Sequence, residues 1–252
     1  MKHILLTICL FLYTILSFAQ KSESKLSISI KSGVTFANMY GPDVANETFL
    51  NGYNSETFYA NHPASNGIKN GFNSILLLNY KLSKSLSLGL GASYIQKGAK
   101  INANKHWNTI LQTYENVNGK IYWNQNFWTI EIPLTVYFPI KQNDIFLQAG
   151  IFMGYLIDTE EKGDISISNI KYEYINNRRA NEKEPGFSLT CGYLYSLPNN
   201  NGDIIVELSW TRSFINSPGR DMIPDPQYYF NQTISLNIGY KFNINFKNSK
   251  QN

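Results

Sequence analysis

The residues of this chain that could do chemistry are few and scattered. Beyond residue 20 the histidines are His62 and His106, with Ser65, Ser93 and Glu115 in the wider neighbourhood. A lipid hydrolase would need a serine activated by a histidine that an acid orients. No spacing joins these residues in that way, so both histidines read as loop residues without a catalytic task. Glu131 and Glu207 could form an acid–base pair, but carboxylates buried in small barrels more often partner cations. After residue 20 the only cysteine is Cys191, which leaves no internal disulfide and no Cys/His metal set. "TEEKGD" (159–164) and "DMIPDP" (221–226) gather carboxylates without the spacing of a cation loop. The sequence calls for no catalytic residue, no metal and no cofactor.

Strands must position these residues. In "SLSLGLGASY" (85–94), Leu86, Leu88, Leu90, Ala92 and Tyr94 alternate with serine and glycine. That period of two is an extended strand with one apolar face. Similar runs predict eight strands, at about 25–37, 71–82, 85–98, 126–139, 144–157, 185–196, 203–215 and 231–244. The connections alternate strictly. Long ones fall at 38–70, 99–125, 158–184 and 216–230, and short ones near 83–84, 140–143 and 197–202. This is the pattern of an eight-stranded antiparallel up-and-down transmembrane barrel with short periplasmic turns, long extracellular loops and both termini in the periplasm.

The faces decide which way the apolar stripe points. Gly33, Gly89, Gly91, Gly150, Gly154, Gly192 and Gly239 all share the polar face. A narrow barrel crowds its interior, and small residues there let the sheet close. Lys31, Glu131, Glu207 and Lys241 lie on that same face. A lysine turned to lipid near the midplane would cost roughly 2–4 kcal/mol. The polar face therefore lines the lumen, with Asn73, Asn79 and Gln148 beside the four charges, and the leucines face lipid. Two aromatic belts agree: Phe36, Phe72, Trp128, Tyr155 and Phe187 near the long connections, and Tyr80, Phe138, Tyr195, Tyr240 and Phe242 near the short ones.

The first residues give the compartment. "MKHILLTICLFLYTILSFAQ" has a basic start, an apolar run and small residues before Gln20. It is expected to be a secretory leader over 1–19, cut between Ala19 and Gln20, with one outer-membrane barrel domain over 20–252. The net charge of +4 is mild and scattered, which argues against nucleic acid as a partner.

The segments "ASYIQKGAK" (92–100), "WTIEIPLTVYF" (128–138), "IFLQAGIFMGYLI" (145–157), "EPGFSLTCGYLY" (184–195) and "ISLNIGYKF" (234–242) follow one another in the order of a known group. The chain resembles the PorT-like outer-membrane β-barrel proteins over essentially its whole mature length. Its most specific pieces are Glu131-Ile132-Pro133-Leu134 and the Gly150, Gly154, Tyr155 set. Glu184 stands where the group often has Asp. The resemblance implies a barrel of a Gram-negative outer membrane without an active site, and an association with type IX protein secretion. The last strand, with Asn237, Gly239, Phe242 and Ile244, is similar to the signal that the barrel-assembly machinery reads, and its pairing would leave no free edge in lipid.

The expected function is therefore non-enzymatic: a component of protein secretion or envelope assembly, with outer-membrane lipid, the assembly machinery and secretion proteins as partners. The rivals are a barrel whose long loops bind a protein or glycan, and a lipid-modifying enzyme. Lipid A is expected to be unchanged by mass spectrometry in a His106→Ala strain; an altered lipid A profile would restore the enzyme reading.

Overall fold

Alternation along the chain becomes eleven strands in the computed structural model, which describes residues 26–54, 57–61, 64–108, 111–176, 183–198, 202–214 and 229–244. The candidate leader with Ala19 and Gln20, His62 and the "DMIPDP" segment lie outside the described residues. The strands are β1 (Leu26–Tyr40), β2 (Glu47–Asn54), β3 (Thr57–Ala60), β4 (Lys69–Lys81), β5 (Leu86–Asn108) and β6 (Thr113–Ile140). They continue with β7 (Asn143–Ile167), β8 (Ile170–Asn176), β9 (Lys183–Ser196), β10 (Asp203–Ser213) and β11 (Phe230–Ile244).

Eight of these close an antiparallel ring in the order β1-β4-β5-β6-β7-β9-β10-β11 and back to β1. The closing seam pairs β1 with β11 along the full 15 residues of β1, from Leu26 opposite Ile244 to Tyr40 opposite Phe230. Leu76, Leu88, Leu90, Ile130, Leu147 and Leu208 are exposed on the outside, whereas Ser29, Lys31, Thr35, Asn79, Glu207 and Lys241 are buried inside. The apolar stripe faces lipid. Phe36, Phe72, Trp128 and Tyr155 ring the wall at one end, and Tyr80, Phe138, Tyr195 and Phe242 at the other.

Three of the four long connections are not loops. The expected strand ends at 98, 126 and 157 are overturned, because β5, β6 and β7 run on through much of 99–125 and 158–167. They are 23, 28 and 25 residues long. At about 3.3 Å per residue, roughly ten are enough to cross a bilayer. The surplus forms a second sheet, here called the crown, on the side away from the short turns. β2 pairs parallel to β5, β3 pairs with β2, and β8 pairs with β7, giving the order β3-β2-β5-β6-β7-β8. This sheet curls until its ends meet, where the Ala60 N–H donates to the Tyr174 hydroxyl at 3.0 Å. Leu50, Ile101, Ile121, Ile165 and Tyr174 fill its inside.

The crown inverts the pattern of the barrel below it. On β6 the outward residues from Trp128 to Phe138 are apolar, while above them the apolar side chains Val117, Ile121 and Trp123 point inward. The strand itself does not turn over. The medium outside it changes from hydrocarbon to water, so burial favours the opposite face.

Gly98 sits at the base of the crown with φ +122°, and a Cβ there would lie 1.8 Å from the Trp123 carbonyl oxygen. Only glycine fits, since the φ is strained for any side chain and the obstacle is backbone. At Gly91 the nearest obstacle is the movable tip of Leu77 at 3.3 Å. Gly98→Ala is expected to destabilise the folded barrel by about 1–3 kcal/mol, read as a lower temperature at which its compact band unfolds on an unheated-to-heated gel series. Gly91→Ala should stay close to the parent, and equal shifts for the two would refute the backbone argument.

Candidate functional site

The lumen is built in tiers, and its glycines are the saddles over which charged side chains cross. Lys31 on β1 lies directly opposite Gly239 on β11. A Cβ on Gly239 would come within 2.6 Å of the Lys31 side chain, so the lysine passes over the glycine to reach β10. There its Nζ lies 2.8 Å from Glu207 Oε1. Asn237 Nδ2 also donates to that oxygen, at 3.0 Å. Glu131 on β6 crosses Gly150 on β7 in the same manner and accepts a hydrogen bond from Ser188 on β9. Lys241 belongs to a separate tier near the short turns. Its Nζ pairs with Asp203 at 3.1 Å rather than with a glutamate, and Ser196 donates to that aspartate at 2.9 Å.

A third tier closes the crown end. Lys97 Nζ lies 2.5 Å from Glu184 Oε1 and between the rings of Phe127 and Phe152, at 5.1 and 4.7 Å from their centres. Asn231 donates to Glu184 at 2.6 Å and to Gln125 at 2.9 Å. Tyr137, Phe146, Leu194 and Ile205 form an apolar floor, while Met39, Ala64, Ala99, Trp123 and Tyr229 form a roof. Between them lie small voids of about 20 and 40 Å³, room for one to a few waters. The lumen is a packed polar core.

Of the residues singled out in the sequence, Lys31, Glu207 and Asn237 come together, and Gly239 makes room for them. Phe242 stays on the outer wall, packed edge-on against Tyr240 at 4.5 Å, and Ile244 ends the seam opposite Leu26. The hydrolase set is not assembled. His106 Nδ1 lies 3.5 Å from Glu115 at the crown tip, but Ser93 is thirteen residues lower on β5, about 40 Å along the strand, and bonds Thr129 in the lumen. Ser65 Oγ accepts the Gly67 N–H at 3.1 Å. No group of three potential metal ligands occurs among the described residues. Lys97, Gln125, Asp203 and Asn231 were missed, although Lys97 shares the parity of Gly89, Gly91 and Ser93 and could have been read as lumenal.

The crown offers the larger chemical surface. Its interior is riveted by Glu161, which accepts hydrogen bonds from Tyr174 and from Asn176 Nδ2 at 3.2 Å. Trp123 Nε1 donates to Thr159 at 2.8 Å. On its outside, Trp107 and Tyr114 stand opposite each other across β5 and β6 with ring centres 4.9 Å apart. Phe49 of β2 meets Tyr114 edge-on at 6.0 Å, and Lys105 Nζ lies 5.9 Å from the centre of the Tyr114 ring. On β7, Glu160 hydrogen-bonds Lys162 and holds its amine above the usual lysine value. The arrangement supplies exposed aromatic faces, amides and ammonium groups, which suits binding.

Lys31→Met leaves Glu207 buried without its cation, an uncompensated charge that costs about 3–5 kcal/mol. A markedly lower unfolding temperature in detergent is expected, with recovery of most of the loss in Lys31→Met combined with Glu207→Gln. Equal unfolding temperatures for the single variant and the parent would show that the pair is not a structural tie.

Comparison with known proteins follows the same outline. The sequence model for "Outer membrane protein beta-barrel domain" matches residues 18–218. No curated protein matches the chain. Among solved structures it is similar to Ail, the attachment invasion locus protein of Yersinia pestis, at 13% identity and TM-score 0.36, covering 88% of this chain and 100% of Ail. Similarity extends to Neisserial surface protein A at 10% identity and TM-score 0.38, covering 85% and 97% of the two chains. OprG from Pseudomonas aeruginosa matches at 10% and 0.42, covering 90% and 100%. The narrower PorT-like likeness remains a resemblance carried by the residues quoted above. With a closed ring of eight strands, a lipid-facing wall and a family match over most of its length, the chain belongs to the outer-membrane β-barrel domain family.

Proposed function

We propose that this protein is a non-enzymatic surface receptor of the outer membrane, a barrel that anchors its crown and presents it outside the cell as a binding surface. One observation carries the reading: β5, β6 and β7 pass through the wall and continue into a sheet with its own apolar core. A barrel serving only as a membrane plug has no use for such an investment. The packed lumen favours binding over transport, since its voids have room for only a few waters. Both Leu26 and Ile244 lie at the end away from the crown, which suits periplasmic termini and an extracellular crown. The seam-closing register of β11 fits a last strand delivered by the barrel-assembly machinery.

A second reading, a component of type IX-like secretion or envelope assembly, is favoured by the PorT-like resemblance and would use the lipid-facing wall for docking. Photo-crosslinking residues placed at Lys105 on the crown and at Leu208 on the wall separate the two in intact cells. The receptor reading expects discrete adducts from position 105 and lipid alone from position 208. Protein adducts confined to position 208 would replace it with the assembly reading.

A further inference from the structure

The outside of the crown is not a separate surface but the lipid-facing wall carried upward. Along β6 every even-numbered residue from Phe138 to Tyr114 points out of the sheet, without a bulge on the β5 side until the last rows near Ala103. The composition of that single face changes at one residue. Up to Trp128 it is apolar; from Asn126 to Tyr114 it consists of four asparagines, two tyrosines and Lys120. Tyr122 is 39% and Tyr114 52% exposed. β5 adds Lys100, Asn102, Lys105 and Trp107 alongside. Carboxylates flank it on both neighbouring strands: Glu47 of β2 accepts a hydrogen bond from Asn104 at 2.5 Å, and Asp158, Glu160 and Asp164 of β7 stand directly opposite Asn126, Asn124 and Lys120.

Position fixes what this face meets. It rises directly from the aromatic belt, and Tyr114 is fourteen residues above Trp128, about 45 Å along the strand. Whatever the surrounding leaflet's lipids carry above their acyl chains must lie against it. Phospholipid headgroups would reach only the lowest rows. A face this tall, made of amides, phenol rings and ammonium groups with aliphatic side chains absent, matches an oligosaccharide. Asparagine offers both a donor pair and an acceptor to vicinal hydroxyls. Aromatic faces attract the C–H edges of sugar rings, and lysines pair with phosphate or carboxylate groups.

We infer that the outward face of β5 and β6 above Trp128 binds the oligosaccharide headgroups of the glycolipid in which the barrel is embedded. This rests on the reading of the crown as a binding surface and names the ligand class for its lateral face. The barrel would thereby carry a bound shell of glycolipid, held at its acyl chains by the wall and at its sugars by the crown.

The test uses the full-length protein in phosphatidylcholine nanodiscs doped with lipid A bearing a core oligosaccharide, or with lipid A lacking it. The glycolipid retained per barrel after mild detergent extraction is read by native mass spectrometry. At least about fivefold greater retention of the oligosaccharide-bearing form is expected. Tyr122→Ala combined with Lys120→Gln should abolish the preference with little change in unfolding temperature, because both side chains are solvent-exposed and no like-charge pair with Asp164 is created. Equal retention of the two lipids, or a preference that survives the double variant, overturns the inference. Competition by free core oligosaccharide at equal concentration also overturns it, since the face would then read sugars without their membrane anchor. Crosslinks from position 105 without any glycolipid preference would sink this inference alone; loss of both would sink the receptor reading as well.

Discussion

A backbone amide in hydrocarbon has no water to bond, so every strand edge within the bilayer must find a partner. The full-length register between β1 and β11 is the answer to that constraint. Once the ring is closed at eight strands, the lumen is narrow and must be filled by side chains alone. The filling is polar because the apolar residues are committed to lipid. Lys31, Lys97 and Lys241 are each paired with a carboxylate because a lone buried ion would be ruinous. The glycines beneath the long charged side chains follow from the same crowding. Gly239 and Gly150 are small because Lys31 and Glu131 cross them.

The crown is the consequence of letting three strands outlast the bilayer. Above the belt, strands no longer need a ring, and β5, β6 and β7 find new edge partners in β2 and β8. Those additions protect edges that would otherwise invite pairing with other chains. The meeting of β3 and β8 at Tyr174, and the buried Glu161 behind it, finishes a small second core. Two cores with opposite polarity are thus stacked on one set of strands.

This stacking explains how far the sequence could be read. The eight spanning strands and their lipid faces follow from simple alternation, and Lys31, Glu131, Glu207 and Lys241 lie on the inner faces of those strands. On β5 and β6 the crown was written in the same alternation but with its parity reversed, Ile101 with Ala103 and Val117 with Ile121. On β7 the apolar residues keep their odd parity, and a bulge between Leu156 and Asp158 turns Ile165 and Ile167 inward. A reader following one apolar face sees that face stop at Trp128 and concludes that the strand has stopped. The pairing of Lys241 with Asp203, and of Lys97 with Glu184, depends on register between strands far apart in sequence, which no local pattern encodes. Asn231 joins Glu184 and Gln125 from 47 and 106 residues away.

The unbroken passage of β5, β6 and β7 from lipid to water has a mechanical meaning. No linker or hinge separates crown from barrel along these strands, so the crown cannot swivel independently. A pull on it along the strand direction loads the ladders between neighbours in shear, where many hydrogen bonds share the force at once. The same bonds opened one at a time from an edge would give way far more easily. An object gripped by the crown is therefore gripped by the membrane.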